Sequence, residues 1–280
     1  MRPPRTGSVP DGSTVSQCET EEPGIALPTR NAVPSSDTAD VWWFDTRAVS
    51  VTPAGLAGLD HGELGRAKSF LFPADRHRYQ AAHIMLRQVL SSYTGTAPGR
   101  LRLDRERCPQ CGSPSGKPVV LPGPGPAGAR PVPSFSLAHS GDLVVIAIAG
   151  HAVGVDVEQD SARCVCSLAG DLHPADAAWV TGLNGERERH QAIITCWVRA
   201  EAVLKCTGQG IGHGLGGFPV RPGKSAALRV NGCTVRQLAA PPGYRAAVAM
   251  GDAAAVCAQT AVMAALSAHT QVKLATRRRG

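Results

Sequence analysis

The sequence predicts an α+β fold made of two similar lobes in pseudo-two-fold relation, each a long helix packed on a small antiparallel sheet. Three observations predict it. Two long segments, 72–95 and 190–206, carry apolar residues at helical spacing. Short apolar runs separated by turn residues accompany each of them and read as strands. The helix-then-strands order occurs twice, with the join near residue 150, although the halves share no close sequence repeat.

The elements follow in chain order. Residues 1–40 are rich in Pro, Ser, Thr and Gly without apolar periodicity, and read as a disordered leader. The first lobe spans 41–150. "VWWFD" (41–45) is its first strand. In the segment 72–95, Pro73 and Asp75 mark a helix start, Tyr79, Ala82, His83, Leu86, Leu90 and Tyr93 share helical spacing, and Gly95 is the stop. A Pro/Gly-rich connection covers about 108–133. "SFSLAHSGDLVVIAIAG" holds two strands around the polar turn "HSGD". The second lobe spans 151–262. It opens on the strand "HAVGVDVE", continues through the helix 190–206, and closes on the short strands "AALRV", "CTVRQL" and "YRAAVAMG". Residues 263–280, ending in "KLATRRRG", read as a basic frayed tail.

Composition narrows the class. An apolar fraction of 43% over 280 residues supplies ample core. No apolar run approaches the ~20 residues that span a bilayer, and "MRPPRTGSVPDG" has no signal-peptide core. The nine cysteines are an odd, scattered set, which suits reduced thiols in a cytoplasm better than a secreted disulfide scaffold. "CPQC" (108–111) has the spacing of half a zinc knuckle, but no second pair follows at a suitable distance. Of the net charge of +7, residues 41–150 hold 12 Lys or Arg against 7 Asp or Glu. This concentration favours an anionic partner.

The strand "AVGVDVE" poses the chemical question. Side chains alternate along a strand, so Asp156 and Glu158 point the same way. Two like charges on one face of an apolar strand are unfavourable unless a positive charge lies between them. A hard cation such as Mg2+, which prefers carboxylate, phosphate and water oxygens, meets that need. A third acid, Glu201, shares a helical stripe with Trp197 and Lys205. It fits a third ligand beside a phosphate-binding lysine. The alternative is an exposed edge strand and a surface Glu–Lys pair.

"FSLAHSGDLVVIAIAGHAVGVDVE", followed some forty residues later by "WVRAEAVLK", resembles the paired signature of the surfactin-type 4'-phosphopantetheinyl transferases. "FLFPADRHRYQAAHIMLRQVL" and "GKP" (116–118) extend the resemblance over roughly 41–250. It implies an Mg2+-dependent enzyme. The enzyme moves the phosphopantetheine arm of coenzyme A to a serine of an acidic acyl or peptidyl carrier protein and releases adenosine 3',5'-bisphosphate. It further implies Asp156, Glu158 and Glu201 as metal ligands, and Lys205 at the phosphates. His139, Lys117 and Arg78 would contact the coenzyme, and Glu201 is the first candidate for the base. The implied molecule is a monomer with the coenzyme between its lobes. Two positions depart from the pattern: Ala200 replaces the lysine before the helix glutamate, and Ala138 replaces the serine before His139. The rival readings are a decayed transferase that binds coenzyme A without transfer, and a basic nucleic-acid-associated protein. The second leaves three aligned acids unexplained.

Overall fold

In a computed structural model the chain is described over residues 32–34, 38–122, 132–160, 169–210, 214–223, 227–251, 257–262 and 270–273. The first lobe runs β1 (Thr38–Asp45), α1 (Pro53–Ala57), α2 (His61–Lys68), α3 (Pro73–Thr94), β2 (Leu103–Arg105), β3 (Pro118–Val120), β4 (Ser134–Ser140) and β5 (Leu143–Ala149). The second runs β6 (Val153–Gln159), α4 (Pro174–Thr181), α5 (Glu186–Thr207), β7 (Leu228–Val230), β8 (Cys233–Leu238) and β9 (Tyr244–Gly251). Two further strands follow, β10 (Cys257–Val262) and β11 (Thr270–Lys273).

The two expected long helices are present and match in length, each 22 residues. Pro73 starts α3, where its missing N–H costs nothing. Both helices stop on a left-handed glycine, Gly95 at φ 70° and Gly208 at φ 76°, a conformation that side-chain-bearing residues resist. α5 begins four residues before the expected start.

The first sheet has the order β11-β10-β1-β5-β4 and the second β6-β9-β8-β7, while β2 and β3 form a separate hairpin. All pairs are antiparallel except β1 with β10, which run parallel. Three segments differ from expectation. β10 (257–262), expected in the second lobe, lies on the first sheet beside β1. β1 begins at Thr38, inside the expected leader, whose residues 1–31 lie outside the described residues. Residues 270–273 of the expected tail form β11 on the first sheet, and the rest of that tail lies outside the described residues.

Strand alternation sorts the core into three apolar layers. Trp42, Phe44, Ile146 and Ile148 face α3. Val41, Trp43, Val145 and Ala147 face the other way, against Val153, Val155, Val157, Val248 and Met250 of the second sheet. Ala247, Ala249 and Val235 face α5. The order is therefore helix, sheet, sheet, helix. Where the sheets meet at the edges of β4 and β6, two serines bridge them. Ser136 Oγ accepts the Val155 N–H at 3.1 Å, and Ser140 Oγ accepts the Gln159 N–H at 3.1 Å. Among the described residues no helix is long and apolar enough to cross a membrane.

Candidate active site

Alternation along β6 explains its two acids. Val153, Val155 and Val157 enter the layer between the sheets, so Gly154, Asp156 and Glu158 face α5. Gly154 sets how close that helix lies. A Cβ built there would collide with the Ala202 carbonyl oxygen and the Cys206 amide nitrogen. Helix and strand backbones are thus nearly in contact, and the next same-face residues of β6 meet the α5 stripe that carries Glu201 and Lys205.

Asp156 and Glu201 are buried, at 5% and 3% exposure. Lys205 Nζ donates to Asp156 Oδ1 at 2.7 Å, and Ser140 Oγ donates to Glu158 Oε2 at 2.7 Å. Asp156 Oδ2 and Glu201 Oε1 are buried without a hydrogen-bond partner. Burial pushes the Asp156 carboxyl up to about 7. Lys205 pulls it down, while the charges of Glu201 and Glu158 raise it further. Glu201 is raised as well, first by burial and also by Glu158, against the pull of Lys205. Burial thus outweighs the ion pair, because one ammonium cannot offset the desolvation of clustered carboxylates.

Two orphaned, buried carboxylate oxygens facing each other's charge suit a hard divalent cation, which supplies the missing positive charge and takes oxygen ligands. The three acids are not drawn into a closed ligand set. Among the described residues no group of three or more His, Cys, Asp or Glu side chains is arranged to hold a metal. Lys205 and Ser140 occupy two of the carboxylates instead.

A cleft of about 650 Å³ opens beside this cluster, between the lobes. α3 contributes Tyr79, His83 and Leu86, the β2–β3 hairpin contributes Arg105 and Ser115–Pro118, and the end of α5 contributes Leu204 and Lys205. Two expected residues, Lys117 and Lys205, line it directly. Lys117 is 9% exposed, and burial holds its ammonium below the usual lysine range. Lys205 links the cleft to the acids. His139 stands on β4 outside the lining set. Desolvation, then the positive charge of Lys205, lowers its imidazole. Arg78 is engaged elsewhere: its guanidinium donates to Asp142 Oδ1 at 2.7 Å and to Asp75 Oδ1 at 2.9 Å. The structure brings Asp156, Glu158, Glu201 and Lys205 together and leaves Arg78 in its own ion-pair cluster.

Ala138 and Ala200 are both buried in apolar layers, the first between the sheets and the second on the buried face of α5. At neither position does a polar group reach the cleft.

Four residues of the site escaped the sequence reading: Gly154, Ser136, Ser140 and His83. Gly154 sits before the acids, yet its close approach depends on a helix some fifty residues away. Ser136 and Ser140 stand four apart on one face of β4, a legible polar stripe, but their partners lie in the other lobe. His83 stacks on Tyr79 with ring centroids 4.1 Å apart, and its Nδ1 lies 2.9 Å from Glu63 Oε1. Glu63 is in turn held by the buried Arg87 at 2.6 Å. The i, i+4 spacing of Tyr79 and His83 was visible, and the Glu63 anchor was not.

A sequence model of the 4'-phosphopantetheinyl transferase superfamily matches residues 152–251. The chain is 32% identical over 158 residues to 4'-phosphopantetheinyl transferase HetI of Nostoc sp., covering 55% of this chain and 62% of that protein. It is 29% identical over 191 residues to 4'-phosphopantetheinyl transferase psf-1 of Bacillus pumilus, covering 65% and 74%. A phosphopantetheinyl transferase of Thraustochytrium sp. is 30% identical over 177 residues, covering 57% and 56%. The match with HetI thus spans less than two thirds of that relative's length.

Proposed function

We propose, on the match of residues 152–251 to the 4'-phosphopantetheinyl transferase superfamily, that the chain is a member of that family and transfers the 4'-phosphopantetheine arm of coenzyme A to a carrier-protein serine. The observation that carries the reading is the pair of buried, unpartnered carboxylate oxygens of Asp156 and Glu201 beside Lys205, at the edge of a cleft large enough for a nucleotide.

In the reaction, the serine oxygen bonds to the phosphorus that carries the pantetheine arm. The pyrophosphate P–O bond breaks, and adenosine 3',5'-bisphosphate leaves with the electron pair. Negative charge builds on the nonbridging and leaving oxygens, so fixed positive charge lowers the barrier. Asp156, Glu158 and Glu201 would hold Mg2+, which supplies Lewis-acid stabilisation of that charge. Lys205 turns its ammonium from Asp156 toward phosphate oxygens in the cleft. Lys117 reaches the same cleft from the opposite lobe, and its burial strengthens an ion contact by excluding water. His139 borders the site on β4. Glu201 accepts the serine proton. An acidic carrier protein suits the basic first lobe, and the core shared between the lobes suits a monomer.

A second reading is favoured by Ala200 and Ala138: the chain binds coenzyme A but does not transfer the arm. Mass spectrometry separates the two. An apo carrier protein incubated with coenzyme A, Mg2+ and this chain gains the mass of one phosphopantetheine arm, and excess EDTA abolishes the gain. Coenzyme binding without a mass gain would overturn the transferase reading, and full transfer in EDTA would overturn the metal assignment.

A further inference from the structure

Leu71 and Phe72, in the turn between α2 and α3, are 83% and 63% exposed. Single exposed apolar residues are ordinary, but two adjacent large ones presented together at these exposures call for a cause. The local fold gives them no role. Phe72 is the N-cap of α3 and makes no side-chain cap bond, at a position where Ser, Thr, Asp or Asn would stabilise the helix.

The turn that presents them is held firmly. Phe70 packs on Tyr79 with centroids 5.3 Å apart, the Arg66 guanidinium lies 5.2 Å over the Phe70 ring, and Arg76 Nη2 donates to the Phe70 carbonyl at 3.1 Å. Tyr79 is itself a wall of the interlobe cleft, so the turn is fastened to the rim of the site. Three exposed cations flank the pair in sequence, Arg66, Lys68 and Arg76, the first and last of them held against Phe70 of the same turn.

We infer that Leu71 and Phe72, flanked by the exposed Arg66, Lys68 and Arg76, form the docking surface for the acidic protein that receives the arm. The inference rests on the transferase reading and names the part of this chain that holds its protein substrate. An apolar pair flanked by cations matches a partner with an apolar pocket bordered by carboxylates. Phe72, buried on docking, supplies holding energy, and the charges supply orientation and association rate.

The test uses the full chain, an acidic apo peptidyl carrier protein and the double variant Leu71→Ser/Phe72→Ser. The variant is expected to raise the carrier KM about tenfold or more, with turnover at saturating carrier and calorimetric coenzyme A affinity unchanged. Lys68→Glu is expected to raise the same KM severalfold, and 0.5 M salt to weaken carrier binding by the wild-type chain. An unchanged carrier KM in the double variant overturns the inference, as does a parallel loss of coenzyme affinity. Sedimentation showing a wild-type dimer that the double variant dissociates overturns it too, because the patch would then be a self-contact. Direct carrier binding separates this inference from the function it rests on. Binding that the double variant abolishes, without transfer by either protein, leaves the docking surface standing and removes the transferase reading. Transfer by wild type and double variant alike does the reverse, and no carrier binding by the wild-type chain removes both.

Discussion

At the scale of single residues, Glu201 and Lys205 lie one helical turn apart and are expected to fail differently. Glu201→Gln keeps the size and loses the charge and the proton acceptor. Turnover is expected to fall by about 10²–10⁴, with a smaller change in coenzyme affinity. Lys205→Met keeps the stem and loses the ammonium. A charge-assisted contact in a dry site is worth about 1.5–3 kcal/mol, so coenzyme KM rises roughly ten- to a hundredfold. Steady-state kinetics with varied coenzyme A check both; equal losses in turnover and affinity for the two variants would contradict the division of roles. Asp156 gives a stability test that needs no turnover. Its folded carboxyl stands at about 7, and its unfolded one near ~3.9. Between those values the native state holds a proton that the unfolded state has released. The metal-free chain therefore loses stability as pH rises from about 4 to about 7, and this contribution is flat above. Thermal melts of wild type and Asp156→Asn in EDTA isolate it, since the variant lacks this slope. Magnesium is expected to raise the wild-type Tm more at pH 8 than at pH 5.

At the scale of elements, the decisive contact is β6 against α5. Because a Cβ at 154 meets backbone atoms rather than the flexible end of a side chain, neither element can yield locally. Gly154→Ala is expected to cost about 3 kcal/mol or more, or to push α5 outward and separate Glu201 from Asp156. Urea denaturation reads the first outcome, and loss of magnesium-dependent stabilisation reads the second. A variant as stable and as magnesium-responsive as wild type would mean that helix and strand have slack. The serine bridge between β4 and β6 works at the same scale. Ser140 both accepts a β6 N–H and donates to Glu158, so it ties the lobe junction to an acid of the site.

At the scale of the whole molecule, the layer between the sheets belongs to neither lobe. Val41, Trp43 and Val145 of the first are buried against Val155, Val248 and Met250 of the second. Cutting the chain at residue 150 would expose that apolar face on both pieces. Residues 151–251 alone are therefore expected to lack fixed tertiary packing, and the intact chain to unfold in a single transition. Near-ultraviolet circular dichroism of the fragment and the melting profile of the full chain check this. A natively folded fragment, or two resolved transitions, would contradict it. The same sharing explains why the cleft lies where it does: it follows the seam at which the β4 and β6 edges meet.

The two long helices, their glycine stops and the strands of the second lobe were legible because each depends on neighbours in sequence: apolar spacing, a proline at a first turn, a glycine where φ is positive. The common facing of Asp156 and Glu158 was equally legible, since strand alternation is a local rule. Other features depend on distant segments meeting. Arg78 looked like an available cation until Asp75 and Asp142 engaged it. Lys205 reads from sequence as a phosphate-binding cation, with a surface pair to Glu201 as the alternative, and in the folded chain it donates to Asp156. The parallel seat of β10 beside β1 joins the two ends of the described chain, which no local pattern encodes. Spacing and side-chain type settled which groups could do the chemistry. Only tertiary packing, by removing water from Asp156 and Glu201 and bringing Lys205 to them, decided their charge, because desolvation is set by everything that surrounds a group and not by its place in the chain.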